Sequence, residues 1–510
     1  MTVRSLALLW ARLLSERAGL IAFAICAVYV LALAYPAHLN VVGAFSDFYV
    51  RYAPDADLIA RGEFPSNDFN PPGYPVLLIL LSPLTGDHFT TAKWMSLLAA
   101  GLTGWLSFFL FRRLFGAAPA LLAIPIILLS KPWNRYSFNA MTDIPFVCVC
   151  VVALLVITDE RRAGWPSAVL AGVVCSIAYL LRYNALFLLV PGLVAVISRE
   201  GTLASRARLV GLFLGSFALT AAPWWWVNYT HYGSPFYSRN FEDVALALKL
   251  NEAGGRPFTS LLDVVFRNPG RFAWRYIRQV PYILSQSLGS SLALLPVGPL
   301  AVLGIVLGLA RQRTRPVLLM LVAWLSFLLF MSLTHWEPRY FFFMLVCHSG
   351  FAMYALFEIA RWVGRTFGSP VAARVVVAVV FLWILIPTIV VTVWVVRVTL
   401  GRQPLELLPA ARQLASVAPP GATVMSLRAQ IAYLSGLKWR GMPGASSIEE
   451  LKIVLSTNPP DYIVLDRWGK RFAKPLIPLM TQEVYVPWLE LVYSEPQGKI
   501  VIYAVHLERS

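Results

Sequence analysis

The sequence predicts an α-helical polytopic membrane protein, with about eleven spans plus interfacial helices, followed by a small C-terminal α/β domain outside the membrane. Three observations predict it. First, 58% of the 510 residues are hydrophobic and the mean hydropathy is +0.66, where a soluble domain is about 45–50% apolar. Second, apolar runs approaching or exceeding membrane length recur, and every second turn between them holds an arginine cluster. Third, from about Leu405 the long apolar runs stop and short helix and strand patterns replace them.

The net charge is +17. Much of that excess suits the positive-inside bias and attraction to anionic membrane lipids; the remainder suits a site for an anionic ligand such as a lipid phosphate. The basic residues form no continuous stripe, which argues against nucleic acid as a partner. Cys26, Cys148, Cys150, Cys175 and Cys347 all fall inside apolar runs, so no disulfide framework or zinc site is implied.

Span one is Gly19–Tyr35. Arg4, Arg12 and Arg17 precede it, which sets the N-terminus in the cytoplasm and the following loop outside. No small-residue cleavage site is evident, so this is a retained span rather than a signal peptide. The loop, Val41–Leu84, carries Asp47, Asp55, Asp57, Glu63, Asp68, Arg51 and Arg61 in a chain only 14% charged. Pro71-Pro72-Gly73 closes its polar part. Tyr74–Leu84 is too short to cross and reads as an interfacial or re-entrant helix. Taking it as a full span would invert everything downstream and put the arginine clusters outside, which the positive-inside rule opposes.

Span two, Trp94–Leu114, ends inside at Arg112-Arg113. Span three, Pro119–Ser130, leads out to the loop Lys131–Asp143, and span four, Ile144–Ile157, returns to Asp159-Glu160-Arg161-Arg162; both look short. Span five, Ala168–Leu181, reaches Arg182 outside. Span six, Ala185–Ile197, runs to Arg199, Arg206 and Arg208. Span seven, Val210–Val227, exits through Trp224-Trp225-Trp226, read as an interfacial aromatic cluster.

A long external segment, Asn228–Ser290, follows, with a helix-like piece at Pro269–Tyr282. Asn228-Tyr229-Thr230 is a glycosylation sequon by pattern only, too near the bilayer to count. Span eight, Leu292–Ala310, meets Arg311, Arg313 and Arg315. Span nine, Val317–Leu333, leads to His335-Trp336-Glu337-Pro338-Arg339-Tyr340. Span ten, Phe341–Ile359, returns to Arg361 and Arg365, and span eleven, Val375–Val396, exits again. In the last part Leu405–Val417 has helical periodicity. Ala422–Met425, Tyr462–Leu465 and Ile500–Val505 read as strands, and Ser447–Leu455 as a capped helix with Glu449-Glu450 in its first turn. The organisation is therefore a membrane domain, 1–400, with external loops 36–93, 131–143 and 228–290, and an extracytoplasmic α/β domain, 401–510.

On this topology four polar clusters share the outer face: the Asp47 loop, Lys131–Asp143, Arg182-Tyr183 and His335–Tyr340. A transporter more often buries its charges at mid-membrane in broken helices of repeated halves, and neither repeat nor mid-span charge is visible. Charges crowded at one interface suit an enzyme acting on a lipid-linked substrate. Transfer of a sugar from a polyprenyl phosphate leaves an anionic phosphate at headgroup level, which arginine and lysine can hold. The acceptor hydroxyl loses a proton, which a carboxylate within reach can take. No Gly-rich nucleotide-phosphate loop is present.

SDFYVRYAPDADLIARG, NPPGYP, NAMTDIPF, LLRYNALFLL and WEPRYFFFML, in that order, resemble the landmarks of the GT-C membrane glycosyltransferases. The similarity covers about Arg12–Ile359 and is strongest to the branch holding bacterial aminoarabinose transferases and protein O-mannosyltransferases. The resemblance implies a GT-C-like fold, a polyprenyl-phosphate-linked sugar as donor, and inversion at the anomeric carbon. It implies an acceptor that is a lipid, glycan or protein of the envelope, and residence in a bacterial inner membrane. It implies that Asp47, ahead of Gly62 at the family's spacing, is the catalytic base. Asp143 matches the acid of the second external loop that positions substrate, and Arg339 and Tyr340 match the late pair near the donor phosphate. Arg51 and Tyr52 resemble the pair that follows the base, one residue late. Phe48 stands where the family often has a second acid, which weakens both this register and a metal role; no cofactor is called for with certainty, and a divalent metal is not required by this reading.

Lys131, Arg135, Arg182 and His335 complete the candidate substrate-binding set. Each candidate has a structural reading beside the functional one. Asp47 reads also as a cap or solvated acid, with Asp55 and Asp57 the candidates in another register. Asp143 reads as the cap of span four, the arginines and Lys131 as snorkelling residues, and His335 as a hydrogen-bonder at a span end. A transporter or flippase, or a polymerase or ligase of lipid-linked glycans, remains the alternative function.

Overall fold

The computed structural model describes residues 3–37, 47–65, 68–160, 164–250, 256–311, 314–401, 403–467 and 476–507. Arg161, Arg162, Arg313 and residues 41–46 of the first loop lie outside the described residues, as do the side chains of Arg4 and Arg12. The chain divides into two compact units. One is Met1–Leu39 with Asp55–Leu400; the other is Gly401–Ser510 with Asn40–Pro54. The expected division at 400/401 kept the Asp47 stretch with the membrane domain, whereas the compact units group it with the C-terminal residues.

The first unit is helical. In chain order its helices are α1 (Val3–Ala37), α2 (Ala53–Ala60, shared with the other unit), α3 (Gly73–Leu81), α4 (His88–Phe115), α5 (Ala117–Leu128), α6 (Lys131–Ser137) and α7 (Asp143–Ile157). Then come α8 (Trp165–Leu181), α9 (Leu189–Ile197), α10 (Leu203–Tyr232), α11 (Asn240–Ala247), α12 (Leu261–Phe266) and α13 (Pro269–Leu288). Last are α14 (Val297–Arg311), α15 (Arg315–Met331), α16 (Phe342–Thr366) and α17 (Pro370–Gly401). Each of the eleven expected spans falls on one of these helices. Among the described residues, α1, α4, α10, α16 and α17 hold windows long and apolar enough to cross a membrane by themselves. α7, α8, α9 with its preceding 3-10 turn, α14 and α15 are shorter and apolar.

The short third span has a physical cause. α5 contains Pro125 and breaks before Pro132, and α6 continues at 67° to it. Carbonyls freed by such a break at membrane depth need internal donors. Asn134 Nδ2 donates to the carbonyls of Leu128 and Ser130, at 2.7 and 2.9 Å, and Thr392 Oγ1 donates to that of Leu129. The tryptophan run in the last third of α10 also differs from expectation. Helical steps of about 100° cannot aim three successive side chains at one interface. Trp224 is buried and donates to Tyr183 Oη, Trp225 donates to Tyr179 Oη, and Trp226 is exposed.

The second unit is α/β. Its helices are α18 (Leu407–Val417), α19 (Gln430–Ser435), α20 (Ile448–Ser456) and α21 (Ile477–Met480). Its strands are β1 (Thr423–Ser426), β2 (Lys438–Gly441), β3 (Tyr462–Asp466), β4 (Leu489–Ser494) and β5 (Ile500–Val505), in the order β2-β1-β3-β5-β4. β1 is parallel to β2 and β3, and β5 is antiparallel to β3 and β4. Side chains alternate across the sheet as the pleat requires. Met425, Ile463 and Val501 pack with α20 and α21, while Val424, Val464 and Ile502 pack with α18 and α19. The expected strands at 422–425, 462–465 and 500–505 correspond to β1, β3 and β5. Ser447 caps α20 by accepting from Glu450 N at 3.0 Å, and the Glu450 carboxylate accepts from Ser446 Oγ and from Ser446 N, the hydroxyl first and the backbone second in holding it below its usual range.

Candidate active site

Three junctions of the helical unit converge at one end of its helices: α6–α7, the end of α8, and α15–α16. The convergence begins with a glycine. A Cβ on Gly73 would lie 2.4 Å from the Leu180 carbonyl oxygen. The NPPGYP stretch therefore needs glycine there to let α3 press against the last turn of α8, just before Arg182. Residues 68–70 are held from the other side. Asn240 Nδ2 donates to the Phe69 carbonyl at 2.6 Å, and Arg239 lies 3.6 Å from Asp68 and over the Phe69 ring.

Asp143 opens α7 and is 2% exposed. It does not act as the side-chain cap of that helix. Its Oδ1 accepts from Arg182 Nη1 at 2.7 Å, and the same nitrogen reaches Thr142 Oγ1 at 3.0 Å. Its Oδ2 is buried without a hydrogen-bond partner among the described residues. A buried, half-satisfied carboxylate is costly in a finished protein core and asks for an explanation.

The Arg182 guanidinium lies 5.1 Å from the centre of the Tyr340 ring, and that of Arg339 lies 4.9 Å from it. Two cations thus lie against the Tyr340 ring, a cation–π arrangement. Arg339 Nη2 also donates to Tyr340 Oη at 3.2 Å and sits 6.0 Å from the Tyr136 ring, as Arg135 does on its own account. Tyr136 Oη donates to Glu337 Oε1 at 3.1 Å, with Arg339 Nε 3.9 Å from the same oxygen. The ring of His335 meets that of Tyr340 edge-on at 5.5 Å. The result is a patch of arginines on aromatic faces around a buried acid, suited to an anion and a polyhydroxylated group together.

Asp143, Arg135, Arg182, His335, Arg339 and Tyr340 are thus brought together. Lys131 is exposed at the start of α6, and no described contact joins it to the patch. Tyr136 and Glu337 are the members that sequence reasoning missed; each adjoins or nearly adjoins a named arginine, the one signal available. Lys93, fully buried on α4 and 4.7 Å from the Phe89 ring centre, stands one residue before the expected start of span two at Trp94. Three residues on, Ser96 Oγ donates to the Met141 carbonyl at 3.2 Å and ties α4 to the loop before Asp143. The sequon is closed off. Asn228 is buried, and its amide faces the carbonyls of Pro235 and Tyr237.

Asp47, Arg51 and Tyr52 belong to the second unit. Asp47 precedes a π-helical turn, Phe48–Tyr52, and its carboxylate lies 3.9 Å from Arg51 Nη1, with both side chains about one-third exposed. Phe48, Tyr49 and Tyr52 are buried. Gly62, at φ +75°, closes the helix that follows, and its N–H donates to the Ile59 carbonyl. Single π-turns are rare and concentrate at functional sites. Among the described residues no group of three or more His, Cys, Asp or Glu gathers as metal ligands.

Residues 70–226 match the model of a family described as dolichyl-phosphate-mannose-protein mannosyltransferases. No curated protein sequence matches. Solved structures do. ArnT from Cupriavidus metallidurans, bound to undecaprenyl phosphate, superposes with a TM-score of 0.59 at 15% identity over 95% of this chain and 97% of that one. The oligosaccharyltransferase of Archaeoglobus fulgidus, in complex with Zn and sulfate, gives 0.62 at 12% identity over 96% and 73%. The oligosaccharyltransferase AglB of the same organism, solved with an inhibitory peptide and a dolichol-phosphate, gives 0.60 at 13% identity over 96% and 74%.

Proposed function

We propose that this multi-pass membrane protein of the GT-C glycosyltransferase fold is an inverting glycosyltransferase. It moves a hexose or pentose from a polyprenyl-phosphate donor to a lipid, glycan or protein of the envelope. The reaction runs on the outer face of a bacterial inner membrane, with the N-terminus cytoplasmic. The observation that carries this reading is the buried Asp143 oxygen without a partner among the described residues, set among Arg182, Arg339 and Tyr340.

The residues divide the work by charge. Arg339, Tyr340 and Arg182 hold the donor phosphate, whose leaving oxygen gains negative charge as the sugar departs. Asp143 Oδ2 accepts from a sugar hydroxyl. Asp47 takes the proton of the acceptor hydroxyl. That oxygen bonds to the anomeric carbon from the side opposite the phosphate, the bond from that carbon to the phosphate oxygen breaks, and polyprenyl phosphate leaves as the anion. Arg135 and His335 line the polar surroundings of that patch, Arg51 and Tyr52 serve substrate binding beside Asp47, and Lys131 meets lipid headgroups.

An apolar groove of about 510 Å³ supports a lipid donor. Its walls come from α1, α5 and α17, including Val28, Leu33, Val393 and Val396, and it reaches Asn134 on α6. Tyr136, two residues on, belongs to the cationic patch, so one short helix joins an apolar groove to a phosphate-holding surface. Nothing in this chemistry needs a metal or a cofactor.

The test compares envelope glycans and proteins by mass spectrometry in cells with and without the gene, then with Asp47→Asn. The substitution keeps size and removes the base. We expect the sugar adduct to fall by about 10²–10⁴-fold while the protein stays folded and inserted. An undiminished adduct would refute Asp47 as the base.

A further inference from the structure

Three aromatic rings of the second unit share one contact. Phe48 and Tyr49, the two residues after Asp47, meet edge to face at 5.2 Å. Both meet the ring of Tyr433 edge to face, at 5.7 and 5.1 Å. Phe48 is wholly buried and Tyr49 is 3% exposed. The backbone of Asp47 is already helical, at φ −54° and ψ −35°, so it is continuous with the turn that follows it.

Tyr433 is itself firmly mounted. It sits on α19, whose other face buries Ile431 and Ala432 against β1, β3 and β5 residues. Gly436, at φ +70°, closes the helix before β2 begins. The ring therefore projects from an element anchored in the sheet core rather than from a loose loop.

We propose that Tyr433 is a positioning residue that seats the Asp47 turn, so that the C-terminal unit supplies the mount of the base. This rests on the reading of Asp47 as the base. Tyr433 touches no reacting atom. It acts through the rings of Phe48 and Tyr49, whose geometry fixes the turn. Displacing a catalytic group by about 1 Å can cost about 10²-fold in rate, so a seat of this kind is felt in turnover.

The experiment uses the full chain with Tyr433→Ala and Tyr433→Phe. Hydrogen exchange of the purified protein is read over residues 48–53 and, as a control, over β3 and β5; the sugar adduct is read in cells. For Tyr433→Ala we expect faster exchange confined to 48–53 and a fall in adduct of about tenfold or more. Tyr433→Phe, which keeps the ring, restores both. Unchanged exchange over 48–53, an undiminished adduct, or faster exchange spread through the sheet would each overturn the proposal. Asp47→Asn in the same cells separates the two claims. Where it abolishes the adduct and Tyr433→Ala does not, the seat fails and the base stands. Where Asp47→Asn leaves the adduct intact, the base fails and the seat falls with it.

Discussion

The helices of the membrane unit carry arginines at both ends, and the two ends use them differently. At one end Arg182 and Arg339 lie on the faces of Tyr340 and Tyr136, around an acid with one unsatisfied oxygen. At the other end arginines finish the backbone. Arg113 Nη1 donates to the Leu155 carbonyl at 2.7 Å and to Thr158 Oγ1 at 3.0 Å. Arg315 donates to the Ala195 carbonyl and to Ser198 Oγ, and Arg199 to the Gly164 carbonyl and Ser167 Oγ. There Arg113 and Arg315 satisfy helix C-terminal carbonyls, as their charge favours, and Arg199 ties the end of α9 to the start of α8. A capping arginine completes a structure, whereas an arginine on an aromatic face beside a half-satisfied acid leaves a surface for something else to complete.

Breaking the first end should have the largest effect. Arg182→Ala leaves the Asp143 carboxylate buried without its cation. Removing one partner of a buried pair costs about 3–5 kcal/mol. We expect a large drop in thermal unfolding temperature of the purified protein, together with loss of the sugar adduct. A second substitution, Asp143→Asn on top of Arg182→Ala, should recover part of the stability, since the stranded charge is gone, but none of the adduct. Stability unmoved by Arg182→Ala would show that the pair is solvated and the site is not built as described.

Arg339→Lys sharpens the same end without emptying it. The charge stays, but the planar fork that lies over Tyr340 while bonding its hydroxyl does not. We expect about a tenfold slower adduct formation, equivalent to about 1.4 kcal/mol, with the unfolding temperature little changed. A lysine that works as well as arginine would mean that charge alone is needed there.

The contrast between ends also explains what the sequence could and could not tell. Span positions and the arginine-bearing turns were legible because hydropathy and charge are local properties. The break between α5 and α6 was visible only as a short run, since the donors that permit it, Asn134 and Thr392, are far apart in the chain. Asp143, Arg182, Arg339 and Tyr340 were legible through short motifs at helix ends. Tyr136 and Glu337 were not, because a tyrosine and a glutamate beside an arginine carry no periodicity of their own. The grouping of the Asp47 turn with the C-terminal residues was least legible of all. The rings of that turn meet Tyr433, nearly four hundred positions away, a contact that no local pattern signals.

The second end offers smaller effects. Arg113→Ala removes a bond to a helix-terminal carbonyl and one to Thr158, with Asp159 3.9 Å away. Its side chain is about one-third exposed, so water can replace part of what is lost. We expect a cost of about 1 kcal/mol in unfolding experiments and no change in the adduct per folded molecule. A lost adduct at normal stability would mean that this end also takes part in transfer, and the contrast would fail.

Arg311→Gln is the weakest and for that reason the most discriminating. Glu358, nearly buried on α16, lies 3.5 Å from Arg311 and also accepts from Arg361 one turn along its own helix. Removing Arg311 leaves the acid paired, and Arg311 is itself half exposed. The change in stability should stay within about 0.5 kcal/mol, where Arg182→Ala, taken from an acid given one cation among the described residues, costs several times more. The ratio of the two effects, measured in one unfolding assay, reads the difference between ends directly. Redundant pairing is what a structural charge cluster tolerates, and among the described residues Asp143 is given Arg182 alone, with no second cation to take its place.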